Sequence, residues 1–184
     1  MSRILTVSGS PSVVSRSAKL LDHVSRSLAL SGHEVSHLSL RDLPAEALLH
    51  ARFDDPAIVE AARQLELADG VVVATPVYKA AYTGLLKSWL DLLPQYALTD
   101  KIVLPLATGG SVAHALALDY GLRPVLSSMG ARHIVQGFLV VDRCIETSPT
   151  GILTIDPEVE PGLRAVVDGF IDALPTPVPA RLSA

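Results

Sequence analysis

Short, continuous apolar runs alternate along this chain with longer stretches of helical periodicity, and that alternation leaves few architectures open. Residues 3–8, 34–40, 70–75, 102–107 and 133–141 read as strands. Helices are expected between and after them. The first covers 16–30, with Leu20, Leu21, Val24 and Leu28 at helical spacing and Gly32 as its stop. A second opens at Asp55-Pro56, a cap followed by a first-turn proline, and runs to about residue 68. A third covers 83–93, with Leu86, Trp89, Leu90 and Leu93 on one face, a Lys87/Asp91 pair on another, and Pro94 as its end. A long helix follows Thr108-Gly109-Gly110-Ser111 to about residue 129, and a closing helix spans 157–174. Residues 44–53 read as irregular, 142–155 as a loop with a short strand, and 175–184 as a frayed Pro-rich tail, so the expected domain is 1–174.

Five strands alternating with five helices predict an α/β fold, an open parallel sheet covered by helices on both faces, because right-handed crossovers admit few other solutions. The unbroken apolar character of 102–107 agrees with cover on both sheet faces. In such sheets ligands sit beyond the carboxyl ends of the strands, where strand order reverses. The loops after strands one, three and four are therefore the places to look for chemistry.

The first of these, Ser8-Gly9-Ser10-Pro11 through Ser15-Arg16-Ser17, gathers hydroxyls and a cation at a helix start, where free amides and the positive dipole end suit a phosphate. Gly-Ser-Pro is equally ordinary turn chemistry, and it is the surrounding serines that favour an anion. The second, Pro76-Val77-Tyr78-Lys79-Ala80-Ala81-Tyr82, lacks bulky aliphatics, so its backbone can approach the edge of a planar ring. With only eight aromatic residues in the chain, Tyr78 and Tyr82 together point to a ligand or subunit contact, with loop packing as the plainer alternative. In the third, Thr108-Gly109-Gly110 permits close backbone approach to the same ring, or serves as a simple glycine turn. A loop for a ring and a loop for a phosphate together suggest a mononucleotide such as FMN.

Other chemistries lack their residues. Neither the dinucleotide fingerprint nor the P-loop's Gly-Lys-Ser/Thr is present, and no nucleophile elbow frames Ser10 or Ser111 with His114 and Asp119. His33 and His37 stand four apart, but along a strand that is roughly 13 Å, too far to chelate one ion, so no metal site is expected. The lone Cys144 can form no internal disulfide and fits a reducing cytoplasm. The start of the sequence leaves no room for a signal peptide and no apolar run reaches the ~18 residues of a membrane span. A net charge of -4 with scattered cations argues against nucleic acid and anionic membranes as partners. At 184 residues, 49% hydrophobic against 18% charged, the chain carries more apolar side chain than a monomer readily hides, so self-association is expected.

From strand one to about Val135 the sequence resembles the NADPH-dependent FMN reductase family of flavodoxin-like proteins, and most of all the reductase component of two-component alkanesulfonate monooxygenases. The residues that carry the likeness are Ser8 to Pro11 with Ser15-Arg16-Ser17, Ala51-Arg52-Phe53-Asp54, Ala68 through Tyr82, Leu92-Leu93-Pro94, and Val103 through Gly110 with Val112-Ala113-His114. The resemblance implies a flavodoxin-like three-layer sandwich whose five-stranded parallel sheet has the order 2-1-3-4-5. It implies that Ser8, Ser10, Ser15, Arg16 and Ser17 hold the FMN phosphate, that Pro76, Val77, Tyr78 and Lys79 meet the isoalloxazine, and that Thr108, Gly109 and Gly110 flank it. One departure is Ser12, where members often carry arginine, which leaves Arg16 as the substitute cation.

The resemblance also singles out Tyr120, in a helix that in the alkanesulfonate type is disrupted by an inserted aromatic at a tetramer interface near the flavin. Gly121 and Pro124 independently predict a bulge or kink there. The reaction implied is hydride transfer from NAD(P)H to FMN, after which reduced FMN leaves for a partner monooxygenase, with Lys79 and Tyr120 as the candidate catalytic residues. Two rivals share the same loops: a quinone, azo or metal-oxyanion reductase that keeps FMN, and a non-catalytic electron carrier of flavodoxin type. A response-regulator-like domain would need an acidic cluster after strand one, and Ser8 to Pro11 supplies none.

Overall fold

The apolar runs assemble into one parallel sheet in the order β2-β1-β3-β4-β5, formed by β1 (Arg3–Ser8), β2 (Glu34–Ser39), β3 (Gly70–Pro76), β4 (Ile102–Gly109) and β5 (His133–Ile134), with β6 (Phe138–Val141) pairing β4 beyond β5. The computed structural model describes residues 1–148 and 153–175, so nearly all of the expected tail lies outside the described residues. Alternation along each central strand divides the core into two halves. Leu5, Val7, Val71, Val73 and Val103 pack toward α3 (Pro56–Leu67), α4 (Gly84–Leu90) and α5 (Arg123–Ser128), while Ile4, Val72, Ala74, Leu104 and Leu106 pack toward α1 (Arg16–Leu30) and α6 (Glu160–Ala173). This is the expected flavodoxin-like three-layer arrangement, with helices on both faces.

Local signals set most helix starts. Ser15 accepts from Ala18 N–H, Asp55 from Ala57 N–H with Pro56 behind it, and Thr83 from Leu86 N–H, each meeting a donor that the first helical turn leaves without a partner. Register then aligns the carboxyl ends: Ser8 lies beside Ser39 and Ala74, and Pro76 beside Thr108.

Four regions differ from the sequence expectation. The stretch read as irregular holds a one-turn helix, α2 (Ala45–Leu49). The fifth strand is split: His133 and Ile134 pair with Ile102 and Val103, but Phe138 pairs with Leu106, so three residues face two across the break. The break flanks Pro105, which has no N–H to donate, and Gly137 sits so close that a β-carbon there would lie 3.0 Å from the Pro105 carbonyl oxygen. The long helix expected after Ser111 is instead a 3-10 turn (Val112–Ala115), a π-helical turn (Ala117–Leu122) and α5. Beyond β6, a 3-10 turn (Asp142–Cys144) leads to an antiparallel pair, β7 (Ile145–Thr147) with β8 (Leu153–Ile155). Among the described residues no helix is long and apolar enough to cross a membrane.

Candidate active site

The loops after β1, β3 and β4 meet at one edge of the sheet and are bonded to one another. Gly9 N–H donates to the Ala74 carbonyl (2.8 Å), the Thr83 hydroxyl donates to the Gly9 carbonyl, and Thr83 N–H donates to Thr75 Oγ1 (3.2 Å). Val77 N–H donates to the Thr108 carbonyl at 2.8 Å, which joins the second loop to the third. Gly9 allows the close approach of α4, because a β-carbon would stand 3.0 Å from that of Leu86.

The first loop is a pocketful of buried hydroxyls. Ser8, Ser10, Ser15 and Ser17 are all buried; Ser10 Oγ accepts from Ser12 N–H (3.2 Å), and the Ser15 and Ser17 hydroxyls lie 3.0 Å apart. Ser15 takes the N–H groups of Ala18 and Lys19, leaving those of Arg16 and Ser17 at the open end of a four-turn helix. Arg16 itself is exposed and makes no hydrogen bond or ion pair among the described residues. A cation that sequence reasoning did not select, Arg41, donates from Nη1 to the Ser12 carbonyl at 2.7 Å. The only signal for it was its place two residues beyond Ser39, the register partner of Ser8.

The second loop is a two-residue turn closed by paired bonds between Tyr78 and Ala81, N–H to carbonyl in both directions. Its central residues, Lys79 and Ala80, both have left-handed backbones (φ 52° and 63°), a type I′ geometry that costs a non-glycine residue on the order of 1–2 kcal/mol each. Strain of this kind gathers at functional sites. It lifts Tyr78, Lys79 and Ala80 onto the surface as a small exposed ledge, while Thr75 beneath is fully buried.

In the third loop Thr108 is buried, and a β-carbon on Gly109 would lie 2.9 Å from His114 Nδ1. That imidazole nitrogen is buried with no partner. Farther on, the π-helical turn leaves Tyr120 80% exposed, beside the similarly exposed Val112 and Leu116 in sequence. Gly121 sits over Tyr82, whose ring carbons would lie 3.7 Å from an added β-carbon, and burial raises the Tyr82 hydroxyl's pKa above its ordinary value. Arg123 bonds Asp119 (3.1 Å) and the carbonyls of Ile134 and Val135, holding the π-helical turn against β5.

The structure thus brings Ser8, Ser10, Ser15, Ser17, Pro76, Val77, Tyr78, Lys79, Thr108, Gly109 and Gly110 to one edge, while Arg16 and Tyr120 lie exposed around it. Among the described residues no three His, Cys, Asp or Glu side chains converge as metal ligands; His37 instead meets Thr6 Oγ1 at 3.1 Å. A groove of about 790 Å³ lies elsewhere, between α3 and residues 93–101, lined in part by Phe53, Val59, Pro94 and Tyr96. None of the three loops lines it; Tyr96 and Thr99 give it hydroxyls, but it has neither the strained 78–81 turn nor the open amides of α1. Hydroxyls, helix amides and a flat strained turn can bind an anion and a ring; they supply no paired acid and base.

Comparison with known proteins gives the same direction. The family described as NADPH-dependent FMN reductase matches residues 2–145. FMN reductase (NADPH) of Escherichia coli K12 is 53% identical over 140 residues, which cover 76% of this chain and 73% of that protein. The NADH-dependent FMN reductase SfnE of Pseudomonas putida is 39% identical over 131 residues, 70% of each chain. The apo crystal structure of an NADH:FMN oxidoreductase (EMOB) superposes with a TM-score of 0.86 at 45% identity, covering 97% of this chain and 92% of that one.

Proposed function

This chain belongs to the NADPH-dependent FMN reductase family, and from that premise we infer that its three joined loops are where FMN is held and reduced. The protein is an NAD(P)H-dependent FMN reductase of flavodoxin-like fold. FMN, when bound, supplies the ring that accepts a hydride from the nicotinamide.

The residues fit that group. The buried serines and the α1 amides receive the phosphate; Pro76, Val77, Tyr78 and Lys79 form the ledge for the ring; Thr108, Gly109 and Gly110 border it, with the His114 side chain packed close to Gly109. The chain's task is to bind, align two rings and exclude water, and the Lys79 ammonium, exposed on a rigid turn, supplies positive charge at the ledge. In this reading Tyr120 closes the site from the π-helical turn, and the exposed Val112, Leu116 and Tyr120 are covered by further copies of the chain in a homotetramer. The exposed ledge suits a flavin that exchanges and is passed to a monooxygenase, as in alkanesulfonate utilisation, in the cytoplasm. The relatives' names divide between NADPH and NADH, so nicotinamide preference is left to titration.

One observation carries this reading: hydrogen bonds weld a hydroxyl cradle and a strained ledge into a single edge. Purified protein should be colourless and oxidise NAD(P)H only when FMN is added. A yellow protein that reduces quinones unaided would replace it with the tightly bound rival, and no NAD(P)H turnover at all would leave an electron carrier. Lys79→Ala should lower kcat with FMN affinity retained; unchanged kinetics would remove Lys79 from the mechanism.

A further inference from the structure

We propose that Arg41 is the cation of the phosphate site: it pins the serine loop and supplies the positive charge that distinguishes FMN from riboflavin, an inference that rests on the FMN reductase reading. The cradle's own donors are neutral, hydroxyls and amides, whereas a phosphate monoester carries a charge of about −1.5 to −2 at neutral pH. Of the nearby cations, Arg16 and Arg41 are both exposed, but Arg16 makes no bond among the described residues, and Lys19 Nζ is turned to Thr147 Oγ1 at 3.2 Å. Arg41 alone of these reaches the loop, through Nη1 to the Ser12 carbonyl.

The fold builds that reach. β2 ends at Ser39 beside Ser8, and the following 3-10 turn (Leu40–Asp42) is anchored by the fully buried Leu40, which leaves Arg41 to turn back over the neighbouring loop. The Arg41–Ser12 bond continues into the site, because Ser12 N–H donates to the buried Ser10 hydroxyl. A guanidinium has five N–H donors, and the Ser12 carbonyl uses one nitrogen. Its nearest counter-charge, Asp42, stands 3.6 Å from Nε with a side chain 71% exposed, a solvent-screened pair of little strength. Arg41 is therefore a positioning residue for the loop and a source of field for the phosphate.

Calorimetry with FMN and riboflavin on purified protein separates the two roles. Arg41→Gln, which keeps an N–H donor and loses the charge, should weaken FMN about tenfold while changing riboflavin less than about twofold, the scale of one charge-assisted hydrogen bond. Added salt should erode the wild-type preference for FMN and leave that of the variant unchanged. Ser12→Arg combined with Arg41→Gln returns a guanidinium to the loop from within and should restore the preference. Equal losses for both flavins would reduce Arg41 to loop architecture, and unchanged FMN affinity would remove it altogether; either overturns the proposal while leaving the enzyme an FMN reductase. Wild-type protein that binds neither flavin would overturn the reading beneath it as well.

Discussion

The two edges of the sheet are built on opposite plans. At the amino edge the polar groups are spent on one another: Arg3 N–H meets the Asp69 carboxylate (2.7 Å), Ser2 Oγ meets the Pro175 carbonyl, and Lys101 Nζ closes the end of α3 by donating to the carbonyls of Glu66 and Ala68. Gly70 there is overlaid by Phe170 and Leu174. At the carboxyl edge lie seven of the nine buried polar side chains among the described residues, namely Ser8, Ser10, Ser15, Ser17, Thr75, Thr83 and Thr108, together with the strained Lys79-Ala80 turn and the orphaned His114 nitrogen. One edge is closed by backbone carbonyls and a carboxylate; the other gathers buried, mutually bonded hydroxyls, a strained turn and open helix amides. The difference is one of degree: the amino edge buries Ser2 against the Pro175 carbonyl, whereas the carboxyl edge gathers seven buried polar side chains.

That contrast fails if substitutions at the two edges have the same consequences. Thr83→Val removes the tie between the first two loops, the cap of α4 and the donor to the Gly9 carbonyl; it should cost about 3 kcal/mol and at least about tenfold in FMN affinity. Loss of melting temperature with an unchanged FMN Kd would deny that the tie shapes the site. Gly70→Val drives side-chain atoms into Phe170 and Leu174, which already lie 2.7 and 2.6 Å from an added β-carbon, and should cost about 2 kcal/mol by denaturant titration. Its folded fraction should bind FMN normally, and weakened binding would show that the edges are coupled. Ser15→Ala should cost about 1 kcal/mol through the lost α1 cap and weaken FMN more than riboflavin. A purely structural loss would exclude Ser15 from the cradle.

The smallest effect belongs to Lys101, whose pKa burial lowers from its ordinary 10.5. A folded value below the unfolded one means that the unfolded chain binds the extra proton, so stability rises with pH between the two values. Wild type should therefore gain on Lys101→Met as pH approaches 10.5, by under about 1 kcal/mol after solvent screening. A gap that widens in the opposite direction would mean that the ammonium's bonds to the carbonyls outweigh its burial.

Legibility followed the range of the deciding contact. Helices α1 and α4 were readable from apolar residues at helical spacing and α3 from its Asp55-Pro56 start, although α4 stops at Leu90, short of the expected Leu93. The serine loop and the 76–82 loop stood out as candidates because their hydroxyls and small residues are local. The split between β5 and β6 was not, since it turns on Gly137 meeting Pro105, thirty-two positions away. Gly121 and Pro124 announced a disturbance in the helix after Ser111, but its π-helical form, packed over Tyr82, belongs to the folded chain. Left-handed backbone at Lys79 and Ala80 carries no glycine or asparagine signature, and Arg41 lies one strand away from the loop it bonds.

Alternating apolar runs and helix signals suffice, as sequence, to specify a doubly covered parallel sheet, and the hydroxyl-rich loop after strand one marks a candidate edge for a ligand, because each acts over a few residues of contiguous chain. Which cation reaches the serines, how the 112–128 segment is wound and where the last strand breaks were decided only by tertiary packing, because each depends on the distance between residues that the chain itself keeps far apart.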